Sequence, residues 1–254
     1  MQFFKSSEIL KTGVLPKTGG SYTIGLLSTQ HIDQVLDLQS ATLQKLSPQE
    51  KTFLAKRDRS FLEKHFAAGN LMIGITHKGR LIAQSIVANP ATYPGVVSGL
   101  VSILKGVIVD QAYRGNGLMT LMVDCWLDIA QQEKRRHALA VVVTANTYSW
   151  SVFMQQGLDI QSMGIDPDDG SQIYNMHADV ATLRAGMFMP KFNCRSHKGS
   201  TLCAKDDLAT QEKLLATGYR GVDFDAKQEV IYFKPQPVQS RKRHRNCPKE
   251  KAAP

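Results

Sequence analysis

The spacing of apolar residues predicts helices in some segments of the chain and strands in others. Apolar residues recur every three or four positions over 31–46, which is typical of an amphipathic helix. Residues 1–20 are mostly polar and contain several glycines, so we predict an irregular arm there. The elements predicted next are a strand at 21–27, a helix at 31–46, a second helix from 47 to about 68, and a hairpin at 71–88.

Strands and helices alternate through the following segment. Residues 138–144, ALAVVVT, form an unbroken run that is typical of a strand covered on both faces. The predicted elements are a strand at 100–109, a long helix from 118, a strand at 138–144, a short helix at 146–156 and a second hairpin up to 180. Together, residues 21–180 predict an α/β (α+β) architecture, with a mixed sheet flanked by helices.

Beyond residue 181 the pattern is weaker, although 207–215 predicts a helix and 229–234 a strand. We interpret residues 181–240 as an appended carboxy-terminal element whose position the sequence does not specify. The predicted organisation is an arm at 1–20, a domain at 21–180, this element at 181–240, and a basic disordered tail at 241–254.

Composition and charge limit the classes of function. The chain is 43% hydrophobic and 21% charged, and no apolar run approaches the roughly 20 residues of a membrane span, so we expect a soluble cytoplasmic protein. Six basic residues against Glu250 give the tail a net charge of +5 out of the total of +9. We interpret the tail as a solvated end, with binding of nucleic acid or an acidic partner as the less favoured alternative. The spacing of Cys194, His197 and Cys203 matches no zinc pattern, so no metal is predicted.

The glycine turn in VIVDQAYRGNGLMTLMV is the strongest local signal for chemistry. A predicted strand leads into this turn and a predicted helix follows it directly. Gly115 and Gly117 permit positive φ angles and a close approach of a ligand to the backbone. The unpaired amides at the start of the helix favour an anion, and a pyrophosphate fits there. Without further context, an ordinary tight turn explains the pattern equally well.

The same segment resembles the acetyl-coenzyme A motif of the GNAT superfamily of acetyl-CoA-dependent N-acetyltransferases. The matching positions are Val109, Tyr113, Arg114, Gly115 and Gly117. A second signature of that family, an Asn after the next strand followed by a Gly-aromatic pair, is similar to Asn146, Gly157 and Leu158, with leucine in place of the aromatic residue. The resemblance covers about 160 residues and implies a splayed mixed sheet with the cofactor in the cleft.

The resemblance also implies which residues bind acetyl-CoA. Main-chain groups of 107–109 would bind the pantetheine arm, the amides of 114–118 the pyrophosphate, and Asn146 the pantetheine while it also caps a helix. The expected cofactor-binding residues are Val107, Ile108, Val109, Arg114, Gly115, Asn116, Gly117, Leu118, Asn146 and Phe153.

The catalytic groups are not identified by the resemblance. The position at which many relatives carry a tyrosine acid is Phe153, and the strand before the glycine turn lacks the glutamate base of other relatives. Candidates are Asp110, for which we favour a capping role, Tyr148, which we expect to point elsewhere, and Ser149. The histidines of the two hairpins, His77 and His177, are further candidates, and catalysis by positioning alone is an alternative.

The resemblance implies an N-acetyltransferase in which a primary amine attacks acetyl-CoA directly in a ternary complex. The acceptor amine is not specified by the sequence. Because Phe153 has no proton to give and the strand glutamate is absent, the alternative is a non-catalytic acyl-CoA-binding sensor or interaction module of the same fold.

Overall fold

The computed structural model describes residues 9–51, 57–93, 100–167, 169–188 and 197–236. The strands in these ranges are β1 (Ile9–Val14), β2 (Ser21–Leu26), β3 (Leu71–His77), β4 (Arg80–Ala88), β5 (Val101–Val109), β6 (His137–Val143), β7 (Asp159–Ile165), β8 (Gln172–Asp179), β9 (Thr201–Ala204), β10 (Tyr219–Asp225) and β11 (Val230–Pro235). Across the described ranges they form one sheet in the order β1-β2-β3-β4-β5-β6-β8-β7-β10-β11-β9.

Helices cover both faces of this sheet. They are α1 (Ile32–Lys45), α2 (Pro48–Lys51), α3 (Arg59–Ala67), α4 (Leu118–Gln132), α5 (Thr147–Gln156), α6 (Val180–Phe188) and α7 (Leu208–Ala216). One face packs against α4 and α5 through the fully buried Trp126 and Trp150. The other face packs against α1 and α3 through Val35 and Leu62. The prediction of a mixed sheet flanked by helices is confirmed.

The sheet opens between β5 and β6, which run parallel. Their pairing extends from Val101 opposite His137 to Leu104 opposite Ala140. Strand β6 continues to Val143 by pairing with β8 instead. The two parallel strands therefore diverge over the carboxyl half of β5, and a cleft lies between them.

A bulge in β5 lies at the point where the cleft begins. Ser85 of β4 faces two residues of β5, Gly106 and Val107, where the register shifts. Gly106 has a φ of +59°, which glycine adopts without strain, and its carbonyl accepts a hydrogen bond of 2.9 Å from Gln84 Nε2. Beyond the bulge, β5 still pairs with β4, so its other edge faces the cleft.

The carboxy-terminal element extends the same sheet. Strand β10 joins β7 where Gly221 lies opposite Ile160, and β11 and β9 follow. Gln211 of α7 is fully buried, accepts from the Tyr174 hydroxyl and donates to the carbonyl of Ala204 at 2.8 Å. The element therefore packs at the β7 edge. The bounds of α7 and β11 nearly match the segments predicted as a helix and a strand.

Two predicted elements differ in the structure. The arm at 1–20 is not irregular throughout, because β1 pairs with β2 and its Gly13 packs closely on the ring of Tyr22. The prediction of a single helix over 47–68 is wrong. The carboxylate of Asp58 accepts from Phe61 N at 2.7 Å and caps a separate helix, α3. The predicted tail, 241–254, lies outside the described residues.

None of the helices in the described ranges combines the length and the apolar character needed to cross a bilayer.

Candidate functional site

The cleft between β5 and β6 contains a cavity of about 280 Å³. The residues that line it are Thr42, Leu46, Val107, Ile108, Val109, Arg114, Met119, Ala145, Asn146, Thr147, Tyr148 and Ser149. The structure thus brings the end of β5 together with the first turn of α5, two segments that are separated in sequence. Half of the predicted cofactor residues, namely Val107, Ile108, Val109, Arg114 and Asn146, border this cavity.

The glycine turn adjoins the cavity at the amino-terminal end of α4. Gly115 and Gly117 have φ angles of +76° and +73°, and Gly117 is the N-cap residue of the helix. A Cβ on Gly117 would meet no atom within 4 Å, so the backbone here is open to a ligand. The first turn of α4 contains no acidic residue, and the side chain of Leu118 is buried in the core. The amides of this turn are therefore available to an anion.

Asn116 shapes the turn with its side chain. It is 4% exposed, its Nδ2 donates to the carbonyl of Tyr113 at 2.9 Å, and its Oδ1 accepts from the amide of Lys17 at 2.9 Å. The side chain of Asn116 is therefore engaged in hydrogen bonds within the protein.

Asn146 caps α5 at the opposite wall of the cleft. Its Oδ1 accepts from Ser149 N at 3.1 Å, which leaves Nδ2 as a donor beside the cavity. Trp150 fixes the same turn, because its Nε1 donates to the carbonyl of Thr144 at 2.9 Å. Phe153, one turn further along α5, is 2% exposed and borders a smaller second cavity.

Tyr148 borders the main cavity, at the amino-terminal end of α5. Side chains in a helix tilt toward its amino terminus, and the cleft lies at that end of α5. Tyr148 is 62% exposed, and Ser149 borders both cavities. Both residues therefore line the cavity that the end of β5 also lines.

Asp110 does not border either cavity. It is 2% exposed, and its carboxylate pairs with Arg80 at 2.7 Å and with Lys45 at 3.3 Å. One of its oxygens also accepts from Ala112 N at 3.1 Å, as a cap of the short turn that precedes the glycines. The structure therefore supports the capping role and gives no support for Asp110 as a base.

Neither hairpin histidine lines the main cavity or the smaller second cavity. His77 donates from Nδ1 to the carbonyl of Ser21 at 2.7 Å and makes an edge contact with Tyr113, with ring centroids 5.7 Å apart. His177 lies opposite Leu139, in the paired part of β6. Burial, with a smaller contribution from His137, lowers the pKa of His177. Both residues stabilise the sheet rather than the cleft.

A second, smaller cavity of about 60 Å³ meets the first at Val107, Asn146 and Ser149. Its walls carry side chains of both charges, and sequence reasoning missed them. They are Arg57, Lys105, Asp166 and Asp169. Two sequence features could have identified some of these residues. They are the lysine within the apolar strand VSILKGVIV and the acidic PDDG turn.

Arg57 reaches the second cavity because Gly106 has no side chain. The guanidinium Nη2 of Arg57 lies 2.8 Å from the position that a Cβ on Gly106 would take. Lys105, the neighbour of Gly106, is 7% exposed, and its ammonium lies 5.5 Å from the ring centroid of Tyr93. Two cations therefore lie near the bulge of β5.

Within the described parts of the chain, no group of three or more His, Cys, Asp and Glu residues is placed to hold a metal ion. Cys203 and His197 are described, whereas Cys194 lies outside the described residues.

The cleft and the glycine turn agree with the comparisons with known proteins. The model of the Acetyltransferase (GNAT) family matches residues 32–158, half of the chain, and the protein belongs to this family. A comparison of the sequence with curated proteins finds no match.

Solved structures show the same fold. The GNAT domain of S. lividans PAT is 16% identical with a TM-score of 0.50, over 65% of this chain and 94% of that chain. A protein from Bacillus halodurans, bh2621, is 12% identical with a TM-score of 0.50, over 72% of this chain and 95% of that chain.

Proposed function

We propose that this acetyltransferase transfers an acetyl group from acetyl-CoA to a primary amine, which attacks the thioester directly. The observation that carries the proposal is the divergence of β5 from β6, which opens the cavity lined by Val107 and Asn146 next to the glycine turn. We also propose residues 21–180 as the acetyltransferase domain. A cytoplasmic location is part of the proposal, and the free thiols of Cys125 and Cys203 support it.

The residues of the cleft suit the parts of acetyl-CoA. The free edge of β5 at 107–109 offers peptide groups to the pantetheine arm, and Asn146 Nδ2 offers a donor from the other wall. Arg114 and the amides from Gly115 to Leu118 offer positive charge and N–H groups to the pyrophosphate. These groups would hold the thioester between the two strands.

The proton released by the amine needs an acceptor, and the departing sulfur needs a donor. Thr42, Thr147, Tyr148 and Ser149 all line the main cavity, and of their hydroxyls we propose Tyr148 and Ser149 as donors to the sulfur. We propose that the amine enters from the second cavity, where Asp166 and Asp169 offer carboxylates to an ammonium and Arg57 and Lys105 balance their charge.

The described cysteines do not support a covalent acyl-enzyme. Burial raises the pKa of the Cys125 thiol to about 11, and burial also raises the pKa of Cys203. A thiol attacks as its thiolate, so both are poor nucleophiles at neutral pH. This supports direct attack by the amine.

The alternative is an acyl-CoA sensor that does not catalyse transfer. It is favoured by the buried phenyl ring of Phe153 and by the main cavity, whose described lining residues include no carboxylate or imidazole. Release of free thiol from acetyl-CoA over a panel of primary amines distinguishes the two functions. We expect turnover with at least one amine, slowed in Tyr148→Phe or Ser149→Ala, whereas saturable binding with no thiol release would favour the sensor.

Asp110→Ala is expected to affect stability rather than chemistry. Removing the carboxylate leaves the Ala112 amide without its cap and removes two ion pairs, which costs about 1–3 kcal/mol of unfolding free energy. Urea unfolding measures the loss, and Asp110→Asn, which retains a capping oxygen, should recover part of it. A changed pH profile of transfer in a variant of unchanged stability would show that Asp110 is the base.

A further inference from the structure

The turn between β1 and β2 packs against the glycine turn. Leu15 is fully buried and anchors this hairpin turn, which two backbone hydrogen bonds close, from Leu15 N to Gly20 O at 2.8 Å and from Gly19 N to Leu15 O at 2.9 Å. These residues precede the segment that the family model matches. The hairpin therefore lies outside the segment that the family model matches.

A buried side chain joins the two turns. The amide of Lys17 donates to Oδ1 of Asn116 at 2.9 Å, and Nδ2 of Asn116 donates to the carbonyl of Tyr113 at 2.9 Å. Because Asn116 is 4% exposed, water competes little for these bonds. The backbone of Lys17 is thereby held at a fixed position relative to the glycine turn.

The Lys17 side chain lies across Gly115. Its Cε is 3.0 Å from the position that a Cβ on Gly115 would take, and its ammonium lies closer still. Among the described residues, neither Lys17 nor Arg114 forms an ion pair, and the first turn of α4 supplies no carboxylate. Two cations that form no ion pair with the described residues therefore flank the glycine turn, next to the cavity.

We infer that Lys17 binds the diphosphate of coenzyme A together with the amides of the glycine turn. The inference rests on the proposed function, since it requires acetyl-CoA in the cleft. A mobile ammonium on a fixed backbone suits a doubly charged diphosphate, because it adds charge without demanding one hydrogen-bond geometry. Gly115 has a positive φ, which favours glycine, and a side chain there would displace the end of the lysine side chain.

Equilibrium binding of three ligands tests this role. Acetyl-CoA has both the diphosphate and the 3′-phosphate, dephospho-CoA lacks the 3′-phosphate, and acetyl-pantetheine has no phosphate. In Lys17→Ala we expect the Kd to rise roughly tenfold for the first two ligands and to stay unchanged for acetyl-pantetheine. Lys17→Arg should retain most of the affinity. Lys227→Ala, which removes an exposed lysine from the β10–β11 turn, is the charge-matched control and should bind all three as the wild type does.

The possible results separate the inference from the proposed function. If Lys17→Ala binds acetyl-CoA as tightly as the wild type, or weakens acetyl-pantetheine equally, Lys17 does not bind phosphate. An effect on acetyl-CoA that disappears with dephospho-CoA would overturn the assignment to the diphosphate. If the wild type binds none of the ligands, the proposed function fails and the inference fails with it.

Discussion

The Gly117→Trp variant is expected to lose at least about 100-fold in affinity for acetyl-CoA, a cost of about 2.7 kcal/mol. Gly117 is the N-cap residue of α4, and the space beyond its Cα is open. An indole there would occupy the approach to the amides of the glycine turn, which we propose as the pyrophosphate site. Equilibrium dialysis with labelled acetyl-CoA measures the loss.

Two controls separate the steric effect from backbone strain. Gly117→Ala imposes the same cost of a positive φ, about 1–3 kcal/mol of stability, without the bulk, and should still bind the cofactor. Gly79→Trp places an indole on another glycine with a φ of +74° and open surroundings, in the β3–β4 turn. If Gly117→Trp binds as tightly as Gly79→Trp, the glycine turn is not the pyrophosphate site.

Trp150→Ala is expected to lower the free energy of unfolding by about 3–5 kcal/mol, a large part of the ordinary stability of a domain. Trp150 is 1% exposed, and its ring makes edge contacts with Phe224 and Tyr174 at centroid distances of 4.6 and 6.0 Å. Its indole N–H also holds the carbonyl of Thr144. The substitution thus weakens both the core and the turn that places Asn146. Urea unfolding and acetyl-CoA binding under native conditions measure the two effects.

Trp150→Phe distinguishes packing from the hydrogen bond. It retains an aromatic ring against Phe224 and loses the bond to Thr144, so we expect a smaller loss of stability, about 1–3 kcal/mol. Acetyl-CoA binding should nevertheless be weaker than in the wild type, as in Trp150→Ala. Wild-type binding in a folded Trp150→Ala variant would show that the position of the cleft turn does not depend on this tryptophan.

The local parts of the site could be predicted from the sequence. The glycine turn and the Asn146 cap are short segments in which residue type dictates backbone conformation, and the structure has Gly115 and Gly117 at positive φ and Asn146 at an N-cap. The helix α4 was also predictable, because its apolar residues recur at regular helical spacing. The assignment of these residues to the cofactor stays a prediction.

The remaining parts depend on contacts between distant segments. Arg57 reaches the second cavity through the space above Gly106, and Lys17 reaches Gly115 from the turn between β1 and β2. Tyr148 borders the cavity because of the position of α5, which its own residue type does not reveal. The spacing of residues along one segment carries no information about such approaches.

The carboxy-terminal element shows the same limit. Its helix and last strand were predictable from local pattern, whereas its attachment to β7 depends on Gln211 meeting Tyr174 and on Phe224 meeting Trp150. A buried glutamine in α7 has no local signature. Only the assembled sheet shows that this element packs against α5, the helix that begins at the cleft.

Titration calorimetry of the purified protein with acetyl-CoA tests the central claim most directly. We predict saturable binding with one site per chain, and displacement of the bound ligand by coenzyme A. Absence of binding at about 1 mM ligand, the upper end of ordinary KM values, would contradict the claim that the cleft between β5 and β6 binds acetyl-CoA.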